Sequence, residues 1–208
     1  MTKSESSAPT PSVFQAGASW SRALRGALVL MLLCGVLYPL FTAWVGATLF
    51  PYQSTGSLIE RDGKVIGSAL VGQPFSAPGY FHGRPSAAGY DPFGASGSNW
   101  APSNPDLRRR AEASSEAIAR QHGITPDRIP VDLVAASGSG IDPHISPAAA
   151  RLQIDRVAAA RDLPRDSVAA LLDAHVQTPV LGVLGQPRVN VLQLNLALDE
   201  FSAQPTAR

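Results

Sequence analysis

The residues best suited to chemistry sit together in Ser137-Gly138-Ser139-Gly140-Ile141-Asp142-Pro143-His144-Ile145-Ser146-Pro147. Two glycines let a backbone approach its neighbour closely and present successive N–H groups, the raw material of an anion-binding nest. Ser146-Pro147 reads as the start of a helix, whose N-terminal partial charge would reinforce such a nest. Asp142 and His144 are also the pair an acid/base reaction would need, or the pair that ties a strand-to-helix turn together by local hydrogen bonds. Gly94–Asn99 is a second loop with the same ambiguity. Other signatures are missing. The chain has no G-x-x-x-x-G-K-[ST] phosphate loop, no G-x-S-x-G elbow and no S-x-x-K. His82, His122, His144 and His175 never fall in an H-x₃-H or H-E-x-x-H spacing, and His175 lies on an apolar helical face as a core histidine would. The single Cys34 excludes an intrachain disulfide framework and a cysteine-rich zinc site. The expectation is therefore no catalytic residue, no metal site and no cofactor bound by a motif of its own. Ser137, Gly138, Ser139, Gly140, Asp142 and His144 remain as loop candidates for ligand binding.

These residues must be positioned by a chain of 208 residues with a net charge of +1, which excludes a strong electrostatic claim on nucleic acid. Only 16% of residues are charged, against about 25% in an ordinary soluble protein. Their distribution is uneven: residues 26–59 carry no charge at all. Within that gap Gly26–Phe50 has no polar stripe, and as a helix it would be about 37 Å long against about 30 Å of bilayer hydrocarbon. Residues 22–51 are accordingly read as a transmembrane anchor in membrane lipid, kinked at Pro39, with Trp44 and Tyr52 near its far interface. The apolar run exceeds the 7–15 residues of a signal peptide, which leaves a cleaved, secreted domain as the competing reading. Lys3, Arg22 and Arg25 stand against Glu5 before the span; subtracting them from 17 bases and 16 acids leaves 14 and 15 after it. The positive-inside rule then puts residues 1–21 in the cytoplasm as a disordered arm and residues 52–208 outside.

The outer portion reads as one α+β domain. Asp62-Gly63 supplies the two φ > 0 positions of a type I′ turn in an N-terminal β-hairpin. Residues 73–105 interleave prolines with Phe75, Tyr80, Phe81, Tyr90, Phe93 and Trp100, rings that pack either on their own domain or on a partner. Asn104-Pro105 opens a helix that Gly123 stops, and Arg108, Arg109 and Arg110 spread around it as a solvated face. Val131–Ala136 reads as a short strand. Helices follow from Ser146 to Arg161 and from Pro164 to Val176, making three to four in all. Val189–Glu200 alternates like a strand but is capped like a helix at Asn190, and the helical reading is preferred.

The ordered motifs carry a resemblance. A single span with Tyr38-Pro39 precedes FHGRPSA at Phe81–Ala87, GSNWAPSNPDL at Gly97–Leu107, SGSGIDPHISPAAA at Ser137–Ala150 and LGQPRVNVLQLNLALDEF at Leu184–Phe201. From about Arg22 to Phe201 the chain resembles KdpC, the C-subunit family of Kdp-type potassium-transporting ATPases. The resemblance implies a bacterial inner-membrane pump with three further partners: a channel-like A subunit, an ATP-hydrolysing P-type B subunit and a small single-span F subunit. It also implies a non-catalytic role, described as a catalytic chaperone that raises the B subunit's affinity for ATP. ATP is thus implied only through that partner. Charge asymmetry places residues 52–208 on the side away from cytoplasmic ATP, so such an effect would pass through the complex as a coupling free energy. A cap over the mouth of the A subunit fits that geometry. The alternative class is a membrane-anchored extracytoplasmic enzyme or ligand-binding domain using Asp142 and His144.

Overall fold

The computed structural model describes residues 16–203, and the chain divides into two units with the boundary between Thr55 and Gly56. The first is a long apolar helix. It starts as α1 (Ala16–Leu32), so the last residues of the arm expected at 1–21 are helical; residues 1–15 lie outside the described residues. Trp20–Leu49 is long and apolar enough to cross a membrane. Pro39 has no N–H to give and its ring crowds the carbonyl one turn back. The helix accommodates it with one π turn at Leu33–Leu37, where the Tyr38 N–H reaches back to Leu33 O, before α2 (Tyr38–Leu49) resumes α geometry. One further turn, α3 (Pro51–Ser54), follows.

The second unit is a mixed α/β domain that begins with the expected hairpin. β1 (Leu58–Arg61) pairs antiparallel with β2 (Lys64–Ser68) across Asp62-Gly63, whose φ values of 52° and 71° are those the turn requires. Residues 73–104 are irregular apart from one 3₁₀ turn at Pro92–Gly94. α4 (Pro105–His122) starts where the sequence says: the Asp106 N–H donates to Asn104 Oδ1, and Gly123 ends the helix with φ 64°. The strand expected over Val131–Ala136 is not there. Pro130 fixes the entry and Leu133 N–H bonds Pro130 O, giving a 3₁₀ turn at Val131–Leu133.

Three short strands form one antiparallel sheet with β5 in the middle: β3 (His144–Ile145), β4 (Val176–Gln177) and β5 (Arg188–Asn190). The helix expected from Ser146 to Arg161 is broken at Gln153 into α5 (Pro147–Leu152) and α6 (Ile154–Arg161). α7 (Arg165–Ala174) ends at His175, which caps the helix half-buried with Nδ1 2.8 Å from Leu171 O rather than filling the core. The ambiguous last segment is both things. Its first two residues, Val189 and Asn190, complete β5, and α8 (Val191–Ala203) takes the rest, with Gln193 N–H donating to Asn190 Oδ1. Val191, Leu194 and Leu198 of α8 pack with Ile154 and Val157 of α6, Val168 and Leu172 of α7, Val189 of β5 and Phe81 into one core.

Most of the aromatic segment packs on this domain. Phe81 is fully buried, Phe75 rests on the core and 5.4 Å from Tyr80, and Arg161 stacks over Tyr80 at 4.5 Å. Arg110 covers Trp100, and Phe93 alone of the six is wholly exposed. An irregular stretch this long must still satisfy its backbone. Here buried side-chain amides replace a missing neighbouring strand: Phe81 N–H and C=O bond Asn195 Oδ1 and Nδ2 at 2.8 and 2.9 Å. Gln153 does the same for His82 at 2.7 and 3.1 Å.

Candidate functional site

Ser137 to Asp142 fold into a tight turn braced by its own serine hydroxyls. Gly140 and Asp142 N–H donate to the buried Ser137 Oγ at 3.0 and 3.4 Å, and Ile141 N–H donates to Ser139 Oγ at 3.2 Å. His144 N–H donates to Asp142 Oδ1 at 3.0 Å. Three of the donors that a nest would present, the N–H groups of Gly140, Ile141 and Asp142, are thereby engaged by the turn's own hydroxyls. The turn is also a hub. Ser137 N–H bonds Pro85 O, Ser86 Oγ donates to Gly140 O at 2.5 Å, and Gly72 N–H bonds Ile141 O. The two glycine-rich loops meet here: a Cβ on Gly97 would lie 2.8 Å from Gly138 O, and one on Gly140 2.5 Å from Ser96 O. Gly140 has φ 72° as well, so close approach and backbone conformation both require glycine. Gly138 and Ser139 are exposed.

Asp142 and His144 do come together, joined by a third residue that the spacing did not single out. Asp142 Oδ1 takes His144 Nδ1 at 3.3 Å and Oδ2 takes Arg84 Nη1 at 3.2 Å, with the Arg84 and Asp142 side chains 27% and 29% exposed. Burial alone would push the Asp142 carboxyl up, but the His144 hydrogen bonds and the His144 and Arg84 charges outweigh it and hold the group below the ordinary carboxylate range. Asp142 is therefore a committed carboxylate at neutral pH and a poor proton donor. Arg84 also reaches Ala135 O and Ala136 O, while its own carbonyl accepts from Tyr90 O–H. Burial, then the Asp142 charge, push the Tyr90 phenol up, so it stays protonated.

This cluster forms one wall of an open cleft of about 470 Å³; Asp132, Ser146 and Arg188 contribute the others. Asp132 occupies the start of α5: Ser146 N–H and Oγ–H donate to its two oxygens at 2.6 and 3.1 Å, while Ser146 Oγ caps Ala149 N–H. Asp132 and Arg84 thus complete the site; Arg84 was marked in the sequence only as part of the FHGRPSA motif and Asp132 not at all, since their partners lie 58 and 14 residues away. Among the described residues no group of three or more His, Cys, Asp or Glu side chains is arranged to hold a metal. The cleft combines two guanidinium groups, two carboxylates and an imidazole, and the polar contacts described above are local, joining segments of this domain to one another.

Comparison with known proteins agrees with the architecture. The family model described as "K+-transporting ATPase, c chain" matches residues 20–200. A relative from Shewanella putrefaciens, named potassium-transporting ATPase KdpC subunit, is 50% identical over 179 residues, covering 86% of this chain and 90% of its own. Proteins of the same name from Xanthomonas oryzae pv. oryzae and Gemmatimonas aurantiaca are 53% and 52% identical, covering 86% and 89% of this chain and 87% and 96% of theirs. The chain belongs to the KdpC family, the C subunit of the potassium-transporting ATPase.

Proposed function

We propose that this chain is a non-catalytic subunit of the pump, anchored in the bacterial inner membrane by Trp20–Leu49 with its α/β domain outside the cell membrane. There it assembles with the channel-like A, ATP-hydrolysing B and small F subunits and caps the entrance that the A subunit offers to potassium. One observation carries the non-catalytic part: the side chains with the most chemical potential, Ser137, Asp142, His144 and Arg84, are spent on hydrogen bonds that hold the domain's own loops. The basic N-terminal end of the span supports the orientation, with Arg22 and Arg25 in its first two turns. Under that orientation, a rise in the B subunit's affinity for ATP is a coupling free energy transmitted through the assembly, and it requires no nucleotide contact by this chain.

The test is extraction in mild detergent from cells expressing all four subunits. Three partner membrane proteins should travel with the chain, and protease added from outside should cut beyond Tyr52 while sparing the N-terminal arm. Comparing ATP hydrolysis by the B subunit with and without this chain then measures the coupling. Potassium-stimulated ATP hydrolysis by the purified chain alone would overturn the reading, as would a reporter fused after Arg208 that is active only in the cytosol.

A further inference from the structure

α4 is attached differently from its neighbours. α5, α6, α7 and α8 each bury at least two residues, whereas α4 buries none. Its C-terminal half meets the core through Ile118 and ends at His122. A cavity of about 170 Å³ opens at that joint, lined by Ile118, Gln121 and His122 of α4 and by His82, Leu133 and Gln153 of the remaining domain. His122 also lines a neighbouring cleft of about 540 Å³, together with Arg151, Asp155 and Arg156 of α5 and α6. The joint that holds the helix thus contains two imidazoles, one from each partner.

A fixed cation stands beside them. Gln153 Oε1 accepts His82 N–H and Arg156 Nη2, both at 2.7 Å, and Arg156 Nη1 donates to Tyr80 O at 3.0 Å. The guanidinium cannot leave without stranding these acceptors. The carboxylates nearby are already engaged. Asp155, which faces His122, bonds Arg165 Nε at 2.7 Å, and Asp173 bonds Arg151 at 2.9 Å. At His82, burial and Arg156 outweigh the Ala77 carbonyl; at His122, burial, Arg156 and His82 outweigh Asp155 and the Leu152 carbonyl. Both imidazoles are therefore neutral at pH 7. Charging them would place three like charges in one half-buried joint. The side that yields is α4, because buried Gln153 clamps both the N–H and the C=O of His82. We propose that this joint is an acid-released latch, in which charging His82 and His122 beside Arg156 frees the end of α4 while the core of α6, α7 and α8 stays folded.

Hydrogen exchange of the full chain in detergent, corrected for intrinsic exchange rates, reads the latch. Each proton taken up on opening changes the open population about tenfold per pH unit below about pH 6.5. Protection at residues 117–123 should therefore fall about tenfold or more between pH 7.5 and 5.5, and protection in α8 by less than about threefold. H122Q keeps a polar side chain at a half-buried helix end and removes one of the two protons, so its fall should be several times smaller. Exchange of the imidazole C2–H of His82 and His122 needs no substitution: both should titrate below about pH 6.5, in step with the loss of α4 protection. Unchanged α4 protection down to pH 5, or a fall in H122Q equal to that of the wild type, overturns the proposal. So does loss of protection in α8 to the same extent, which is acid unfolding of the whole domain.

Discussion

Replacing Asn195 by leucine tests how the irregular half of the domain is held. Asn195 is buried in α8 and its amide makes both hydrogen bonds to the Phe81 main chain, whose residue is itself fully buried. Leucine has the same number and branching of side-chain heavy atoms and is somewhat larger, so no cavity opens, and it favours a helix by a few tenths of a kcal/mol. What changes is that one N–H and one C=O lose their partners away from water. Each costs about 1–3 kcal/mol when left unsatisfied, so N195L should cost about 2–5 kcal/mol, a large fraction of the roughly 5–15 kcal/mol that holds a domain together. The assay is urea unfolding of the full chain in detergent, with hydrogen exchange read at residues 78–83. The midpoint should fall, and exchange at Phe81 and His82 should accelerate more than exchange in the β1–β2 hairpin. A loss below about 0.5 kcal/mol, the ordinary scatter of a surface change, with unaltered exchange at Phe81, would refute the idea that this amide substitutes for a strand.

Three further outcomes follow from the geometry. G140A should destabilise by several kcal/mol, because its Cβ would lie 2.5 Å from Ser96 O and 2.7 Å from Ala88 Cβ at φ 72°; thermal unfolding measures it, and G138A at an open position is the control. Burial, chiefly, with Arg156 adding to it, holds the His82 and His122 imidazoles below the ordinary value of about 6.5. The folded chain then binds fewer protons than the unfolded chain, so the stability present above about pH 6.5 is lost as pH falls through it; melting temperatures across pH 5–8 should drop on the acid side, and H82Q with H122Q should flatten the slope. D142A removes the acceptor of three donors from Arg84 and His144, and should cost about 1–3 kcal/mol in denaturant unfolding; loss of a small-molecule activity with an unchanged midpoint would instead favour an enzymatic site.

What the sequence made legible was what neighbouring residues decide among themselves. Asp62-Gly63 dictates its hairpin turn, and Asn104-Pro105 with Gly123 frames α4, because capping and φ > 0 preferences act over a few residues. Asn190 was readable as a cap for the same reason. The errors arise where distant partners decide. The apolar run at Val131 looked like a strand because a short run of that kind does not distinguish strand from turn; what settles it is Pro130 before it and Asp132 reaching Ser146. The helix from Ser146 breaks at Gln153, whose side chain bonds both main-chain groups of His82, 71 residues earlier. Within the candidate site, Asp142 and His144 are two residues apart and were paired from spacing. Arg84, their third member, was visible only as part of a motif, since nothing local links it to Asp142.

Polar residues inside this fold behave as substitutes for backbone partners. Asn195 and Gln153 replace a strand beside Phe81-His82, Ser137 and Ser139 replace the missing acceptors of a turn, and Arg156 and Arg161 collect the carbonyls of Pro78, Gly79 and Tyr80. That follows from a domain whose first half is rich in glycine and proline and forms no regular ladder after β2: the groups must be satisfied, and only side chains are near. Withdrawing a buried residue committed in this way would strand its partner. The concave cluster around Asp142 is woven into that network, whereas the exposed tip at Leu181, between β4 and β5, lies outside it. The interior polar groups, satisfied in this way, fix one shape of the domain.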